Sequence, residues 1–479
     1  MTAPTDTWAS VWNARYEHAI EPGRACIQAR SGVALMFHSV LDGRLAFRPG
    51  TIERILADEP AVAADVLARW GEVPNEITQP ADVILGFVAS FRDGRAMQRM
   101  IRSESVFEWV LDRFGYDELA LGGTSANMTV AIAALDVPRV LVYANPLTKP
   151  LAEAFPPSPN IETIGPDGTL GAPRDVYRGD DVFAIHWIFE YKTGDTMAIG
   201  PHTLIAPRAN RFIPSWNPAN NQLRLADSFV RTFSELAPEF SHLMVSGFHI
   251  LSDAYPDGST AIDCIRPVGK YLADIRRKAP NLRIHCELAS IAGGVVREGV
   301  RTEILQQMHS LGLNEAELIT WLNDFHSAEI GRRIDADNAP EAVLDGVHVI
   351  AEATGVPRIH LHNLGYYLVL ADDRAGEPEA IRQGLLTGAT AAAIRALTGR
   401  PARCDEIRPL PEIALRDTSR TAMERISVAI GASRGFVETG IGTYRGRNVI
   451  MVPTRIVENP VRTVGLGDTI SSASWLAEA

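Results

Sequence analysis

Beyond residue 225 the chain keeps a rhythm of helix and strand, and that rhythm restricts its fold more than any other feature. Segments with helical spacing at 261–278, 314–324 and 377–398 separate short apolar, β-branched runs at 242–251, 282–289, 347–351, 358–364 and 448–452. Strands that alternate with helices pair in parallel, because each helix carries the chain back along the sheet before the next strand begins. The expected fold class is α/β, a doubly wound and mostly parallel sheet with helices on both faces. In such sheets ligands gather beyond the carboxyl ends of the strands.

The first half is less regular. Residues 1–30 read as a helix with Trp8, Val11, Trp12, Tyr16 and Ala19 on one face. An apolar strand over 32–43 runs into a polar turn at Asp42-Gly43, residues 51–117 read as helices, and 138–143 is a strand followed by a proline-rich loop over 145–173. Alternation over 181–189 and 196–199 about the turn 191–195 reads as an antiparallel hairpin. An antiparallel piece in an alternating chain marks a small α/β lid. The lid is expected mainly in 37–117 and 171–215, and the larger domain in 1–36, 118–170 and 216–479.

With 479 residues there is length for this arrangement. A formal charge of −12 disfavours a nucleic-acid partner. No window holds the eighteen or more consecutive apolar residues of a membrane span, and Met1–Asp6 has neither basic cluster nor apolar signal core, so a cytoplasmic protein is expected. Cys26, Cys264, Cys286 and Cys404 are far apart and form no C-x-x-C pair, which argues against a disulfide framework and a structural zinc site. A monomer or small homo-oligomer is expected.

The chemistry concentrates near residue 465. A β-branched run over 448–453 and a helix-compatible tail from Asp468 flank Thr463-Val464-Gly465-Leu466-Gly467-Asp468-Thr469. Glycines at a loop-to-helix junction let successive N–H groups point at one anion, such as a phosphoryl group. Asp468 beside that nest is placed to accept a proton from an attacking hydroxyl. By itself the stretch reads equally as a tight turn with Asp468 capping a helix.

The longer stretch from Glu458 to Ser472 closely resembles the C-terminal signature of the ADP-dependent glucokinase and phosphofructokinase family, a branch of the ribokinase-like fold. The resemblance implies that Asp468 is the catalytic base and that the amides of Gly465, Leu466 and Gly467 form an anion hole. It further implies an acceptor site at Asp42, Gln98, Gly122, Gly123 and Asn127, with Arg208 and Arg211 of the lid meeting phosphates. His360, Val457 and Thr463 are implied at the nucleotide. Two departures stand out: His38 and Val40 replace asparagines of the family's first strand, and Gln98 stands where a glutamate often touches the sugar.

Glu287 ends a strand-like run and Asn314-x-x-Glu317 opens a helix, with both side chains of the latter on one helix face. Asn-x-x-Glu is also a capping box. The family carries His-x-Glu and Asn-x-x-Glu in this order, so Glu287, Asn314 and Glu317 are implied around Mg²⁺, directly or through water. His285 reads as a hydrogen-bonded core histidine, and His360-x-His362 alone is a weak zinc pattern.

The implied activity is transfer of the terminal phosphoryl of ADP to a hexose or hexose-phosphate hydroxyl, giving AMP, in carbohydrate metabolism. With Gln98 lacking an acidic contact and Arg208 and Arg211 nearby, a phosphorylated hexose is favoured over glucose. The alternatives are an ATP-dependent ribokinase-like sugar or nucleoside kinase and a catalytically silent sugar-binding regulator.

Overall fold

A computed structural model describes residues 7–48, 50–432 and 435–478; the reading of Met1–Asp6 lies outside them. Among the described residues the main sheet has eleven strands, with Val33–Phe37 between Val140–Ala144 and His242–Val245, both parallel to it. Arg283–Glu287, Ser310–Leu313 and Arg358–His362 continue the parallel order, and Tyr366–Ala371, Arg447–Pro453 and Ile441–Tyr444 close that side antiparallel.

The central strands are apolar on both faces, as a doubly covered parallel sheet demands. Period-two alternation sorts their residues into two cores. Ala34, Met36, Leu141, Tyr143, Leu243 and Val245 pack with Phe229, Phe233, Ile265 and Leu272 of the helices Asp227–Leu236 and Ala261–Lys278. Val33, Leu35, Val140, Val142 and Met244 pack with Met128, Ile132, Ala473 and Trp475 of Thr124–Ala134 and Leu466–Leu476. Helices therefore cover both faces, as the rhythm predicted.

A second, five-stranded sheet has the order Met97–Met100, Asn210–Trp216, Ile185–Tyr191, Val40–Ala46, Glu118–Gly122. Trp187, Phe189, Tyr191 and Phe212 on one face pack against Phe87 and Phe91 of the helix Pro80–Asp93. The chain passes from the main sheet into this one at Phe37-His38-Ser39. Phe37 has φ 88°, a region aromatic residues rarely adopt. Its ring is held between Tyr143 and Phe248, with centroids 6.1 and 6.2 Å away.

Several expectations change here. The predicted strand over 32–43 is two strands in different sheets, so Asp42-Gly43 lies inside a strand and not in a turn. Residues 347–351 belong to the helix Pro340–Thr354, whose spacing was masked by a local β-branched run. The supposed loop 145–173 contains the helix Lys149–Ala154 and the strand Ile161–Ile164. Ile185–Tyr191 pairs with Asn210–Trp216 and Val40–Ala46, while Thr196–Ile199 forms its hairpin with His202–Ile205. Residues 118–122 join the small sheet. All four cysteines are free, and among the described residues no helix is long and apolar enough to cross a membrane.

Candidate active site

Gly465, with φ 76°, caps the helix Leu466–Leu476. The first helical hydrogen bond runs from Thr469 N to Gly465 O at 3.1 Å, so the amides of Gly467 and Asp468 point out of the helix end without an intrahelical acceptor. Of the three amides expected to line an anion hole, that of Leu466 is turned to Thr463 O at 3.4 Å. Side chains close in behind both glycines. A Cβ on Gly465 would lie 2.3 Å from Arg395 Nη2 and 2.9 Å from Asn127 Oδ1, and one on Gly467 would lie 3.1 Å from His362 Cε1. Arg395, buried on the helix Pro378–Thr398, donates to Thr469 Oγ1 at 2.9 Å and to Asn127 Oδ1 at 3.1 Å. It puts a positive charge under an anion-facing helix end. Asp468 is half-buried there; burial, reinforced by the charge of Glu287, raises its carboxyl to about 7 against the pull of Arg395 and His362.

The second group lies at the ends of three neighbouring strands. Glu287 Oε2 accepts from His285 Nε2 at 3.1 Å and from the Ser471 hydroxyl, and its Oε1 faces His362 Nε2 at 2.9 Å. A Cβ on Gly312 would lie 1.9 Å from Glu287 Oε2, so only glycine fits beside this carboxylate. Burial alone would raise Glu287, but the hydrogen bonds from His285 and His362 hold it at about 2. Burial likewise opposes charge on His362, yet Glu287 raises that ring to about 9. Glu317 is raised to about 7, chiefly by burial. Its Oε2 accepts from Asn314 N at 2.9 Å while Asn314 Oδ1 accepts from the amides of Ala316 and Glu317, a capping box. Among the described residues no three His, Cys, Asp or Glu side chains are arranged to grip a metal directly. Two carboxylates with most oxygens already hydrogen-bonded fit a hard cation that keeps its own waters.

The third group lies on the small sheet, where His249 and Arg462 of the main domain come close to it. Strand register places Asp42, Arg44, His186, Glu190 and Arg211 on the face opposite the aromatic core. Asp42 is buried and makes no hydrogen bond to the described residues; a Cβ on Gly122 would lie 2.1 Å from its Oδ1. Burial raises Asp42 to about 7, while Arg44, Arg462 and Arg211 pull it down. The His38 ring lies 5.1 Å from His186 and 4.6 Å from His249, joining the inter-sheet passage, the small sheet and the main domain. His38 Nε2, Ser39 Oγ, Asn217 Oδ1, His249 Nδ1 and Arg462 Nε are buried there without a partner among the described residues. Burial holds all three rings below the ordinary histidine value, hence neutral.

Other expected residues are placed less directly. Gln98 Nε2 donates to Ser215 Oγ at 3.0 Å on the same small sheet. Arg208 Nε is tied to Gly94 O at 2.7 Å, leaving Arg211 as the lid arginine nearer Asp42. A Cβ on Gly123 (φ 87°) would strike the His38 carbonyl at 2.4 Å. Val457 packs half-buried on the apolar core and Thr463 is exposed. His360 is wholly buried with both ring nitrogens unpaired among the described residues, whereas His362, two residues on, meets Glu287. Sequence reasoning missed Arg395, Ser471, Arg462 and Arg44. For Arg395 a signal existed: it is a lone charge within Gly388-Ala389-Thr390-Ala391-Ala392-Ala393-Ile394 and Ala396.

Residues 40–477 match the model of the ADP-specific phosphofructokinase/glucokinase conserved region. The chain belongs to this family. An ADP-dependent glucose/glucosamine kinase of Pyrococcus abyssi is 30% identical, with 98% of each chain aligned. The ADP-specific phosphofructokinase of Methanosarcina acetivorans is 26% identical over 97% of this chain and 96% of its own. A solved ADP-dependent kinase complex with fructose-6-phosphate and ADPbetaS superimposes with a TM-score of 0.86 at 26% identity, covering 98% of each chain. The family's fold is thus the fold described above, and its members named here include kinases of both acceptor types.

Proposed function

We propose that this family member is an ADP-dependent sugar kinase that uses a divalent cation, gives AMP, and favours fructose 6-phosphate over glucose. The observation that carries the reading is Asp468 at the open end of Leu466–Leu476, with an ordinary carboxyl moved to about 7 and Arg395 beneath it. A carboxyl so placed accepts the proton of the acceptor hydroxyl as its oxygen attacks the β-phosphorus; the bond from that phosphorus to the oxygen bridging to the α-phosphate breaks, and AMP leaves. The amides at Gly465, Gly467 and Asp468 take up charge on the transferred oxygens. Glu287 and Glu317 would hold Mg²⁺ through water, and the ion would supply neutralisation of phosphate charge.

The acceptor reading rests on the small-sheet face. Neutral histidines with unpaired nitrogens and the unpaired Asp42 suit hydroxyls, and Arg44, Arg211 and Arg462 suit a phosphate already on the sugar. The small sheet with its helices acts as a lid over the main domain and excludes water as a competing acceptor. A cytoplasmic location accords with these substrates. Purified protein incubated with Mg²⁺ and a sugar panel is expected to form AMP from ADP, fastest with fructose 6-phosphate. Formation of ADP from ATP with no AMP from ADP would overturn the donor assignment.

A further inference from the structure

Behind Glu287 runs an unbroken file of buried polar groups that the reaction itself does not touch. Glu478 Oε1 lies 2.6 Å from Arg358 Nη2, an ion pair off-axis for a hydrogen bond. Arg358 Nη1 donates to Ser310 Oγ at 2.9 Å, Ser310 Oγ lies 2.9 Å from His285 Nδ1, and His285 Nε2 lies 3.1 Å from Glu287 Oε2. Arg358, Ser310 and His285 are fully buried and out of contact with bulk solvent. The two ends of the file fix its direction. Arginine only donates and an ionised carboxylate only accepts. Ser310 oxygen therefore receives the Arg358 N–H, and among the described residues its own O–H has one acceptor within reach, His285 Nδ1. A buried hydroxyl without an acceptor is costly. Nδ1 is accordingly the bare nitrogen, and Nε2 carries the proton, which faces both Glu287 Oε2 at 3.1 Å and Ser471 Oγ at 3.0 Å, the Ser471 hydroxyl itself donating to Glu287 Oε2.

We infer that Ser310, aligned by Arg358 and Glu478, locks His285 in the Nε2–H tautomer and thereby holds Glu287 in its working orientation. Ser310, Arg358 and Glu478 are positioning residues, separated from the cleft by His285. The tautomer follows from the geometry alone; its effect on metal use rests on the proposed role of Glu287.

The test pairs spectroscopy with kinetics. In ¹⁵N-histidine-labelled protein, with the His285 signals assigned by their loss in His285→Asn, wild type is expected to show only the Nε2–H form. Ser310→Ala should give a mixture, and Ser310→Thr, which keeps the hydroxyl, should restore the single form. The Mg²⁺ concentration for half-maximal rate should rise roughly tenfold in Ser310→Ala, with the acceptor KM unchanged, as losing an outer-shell partner commonly does. Glu478→Gln, which keeps the shape, should shift it the same way by less. An Nδ1–H ring in wild type, or an unchanged ring in Ser310→Ala, overturns the inference. So does a mixed tautomer without any change in Mg²⁺ dependence, provided that Glu287→Gln does change it. If Glu287→Gln leaves the Mg²⁺ dependence untouched, the metal role of Glu287 fails while the tautomer result stands.

Discussion

The two walls of the cleft are built on opposite plans. On the main-domain wall Glu287 has His285, His362 and Ser471, Glu317 is half of a capping box, and Arg395 has Thr469 and Asn127. On the small-sheet wall, to which the main domain contributes His249 and Arg462, Asp42 makes no hydrogen bond to the described residues, and His38, Ser39, Asn217, His249 and Arg462 each leave a buried polar atom unpaired among them. Networks with most bonds made, which on the main-domain wall leave Arg395 Nε unpaired, hold groups rigidly, whereas unpaired buried groups weigh against folding until something binds them. On the proposed function the main-domain wall is preorganised for chemistry common to every acceptor, and the small-sheet wall keeps its valences for the acceptor itself. Each variant below asks whether the two plans are separable.

The largest effect belongs to the chemical wall. Asp468→Asn keeps shape and loses basicity, so kcat should fall by about 10²–10⁴, while ADP binding stays near wild type and stability, which a carboxyl raised to about 7 lowers at high pH, does not fall. The raised carboxyl gives a sign to the pH profile. Transfer needs Asp468 ionised, so kcat/KM should rise with pH through about 7 and level off above it. In Asp468→Asn that limb should vanish. A variant retaining more than about a tenth of wild-type kcat would show that Asp468 is not the base.

On the other wall activity and stability should move in opposite directions. Asp42 has a folded-state value of about 7 against an ordinary 3.8. Its penalty on folding is therefore absent below pH 3.8, grows between 3.8 and about 7, and is full above that. Asp42→Asn should raise stability at pH 8 by roughly 1–3 kcal/mol and leave it unchanged near pH 4. Acceptor kcat/KM should fall by about 10–100-fold, as loss of a charge-assisted hydrogen bond does. Loss of stability at pH 8, measured by denaturant unfolding, would show that Asp42 has a structural partner and that this wall is not held open for ligand.

The next variant separates phosphate from hydroxyl recognition. Arg462 comes from the main domain but sits among Asp42, Arg44 and Glu190 of the small sheet, with Nε unpaired. Arg462→Ala should lower kcat/KM for fructose 6-phosphate about tenfold or more, since a charged hydrogen bond is lost, and leave glucose nearly unchanged. Equal losses on both sugars would place Arg462 at the nucleotide instead.

The same contrast explains what the sequence disclosed. The alternation after residue 225, the glycine corner and the carboxylates at 287 and 317 are local patterns whose spacing reports their geometry, and the helix Ala261–Lys278 falls where its periodicity placed it. The small-sheet wall is assembled from Val40–Ala46, Met97–Met100, Ile185–Tyr191 and Asn210–Trp216, segments joined only by tertiary pairing. No window of sequence contains that information, and the break at Phe37-His38-Ser39 looks like one continuous apolar strand. His38, His186 and His249 meet across 211 residues of chain, from 38 to 249. The metal-side roles failed to resolve for another reason: Asn314 and Glu317 satisfy a capping box whether or not an ion is near.

The smallest effect is expected at Gln98, and it probes how far the acceptor wall can be retuned without disturbing the other. Gln98 Nε2 donates to Ser215 Oγ at 3.0 Å, so one end of the amide is committed to its own sheet. Gln98→Glu keeps the length and removes this donor. The Ser215 hydroxyl then turns to donate to the carboxylate, and the second oxygen is left as an acceptor for a sugar hydroxyl. The gain for glucose is bounded by what one hydrogen bond to a charged group contributes, reduced because Gln98 is only half-buried and water competes there. A rise of about threefold to tenfold in kcat/KM for glucose is expected. For fructose 6-phosphate the added negative charge on the face shared with Arg211 offsets part of the cationic pull, and kcat/KM should fall by about twofold to threefold. The opposed changes should shrink at high ionic strength, because the charges involved are partly exposed. Wild-type glucose activity already tenfold above that with fructose 6-phosphate would mean that Gln98 serves glucose as an amide and that the arginines of this wall hold the nucleotide.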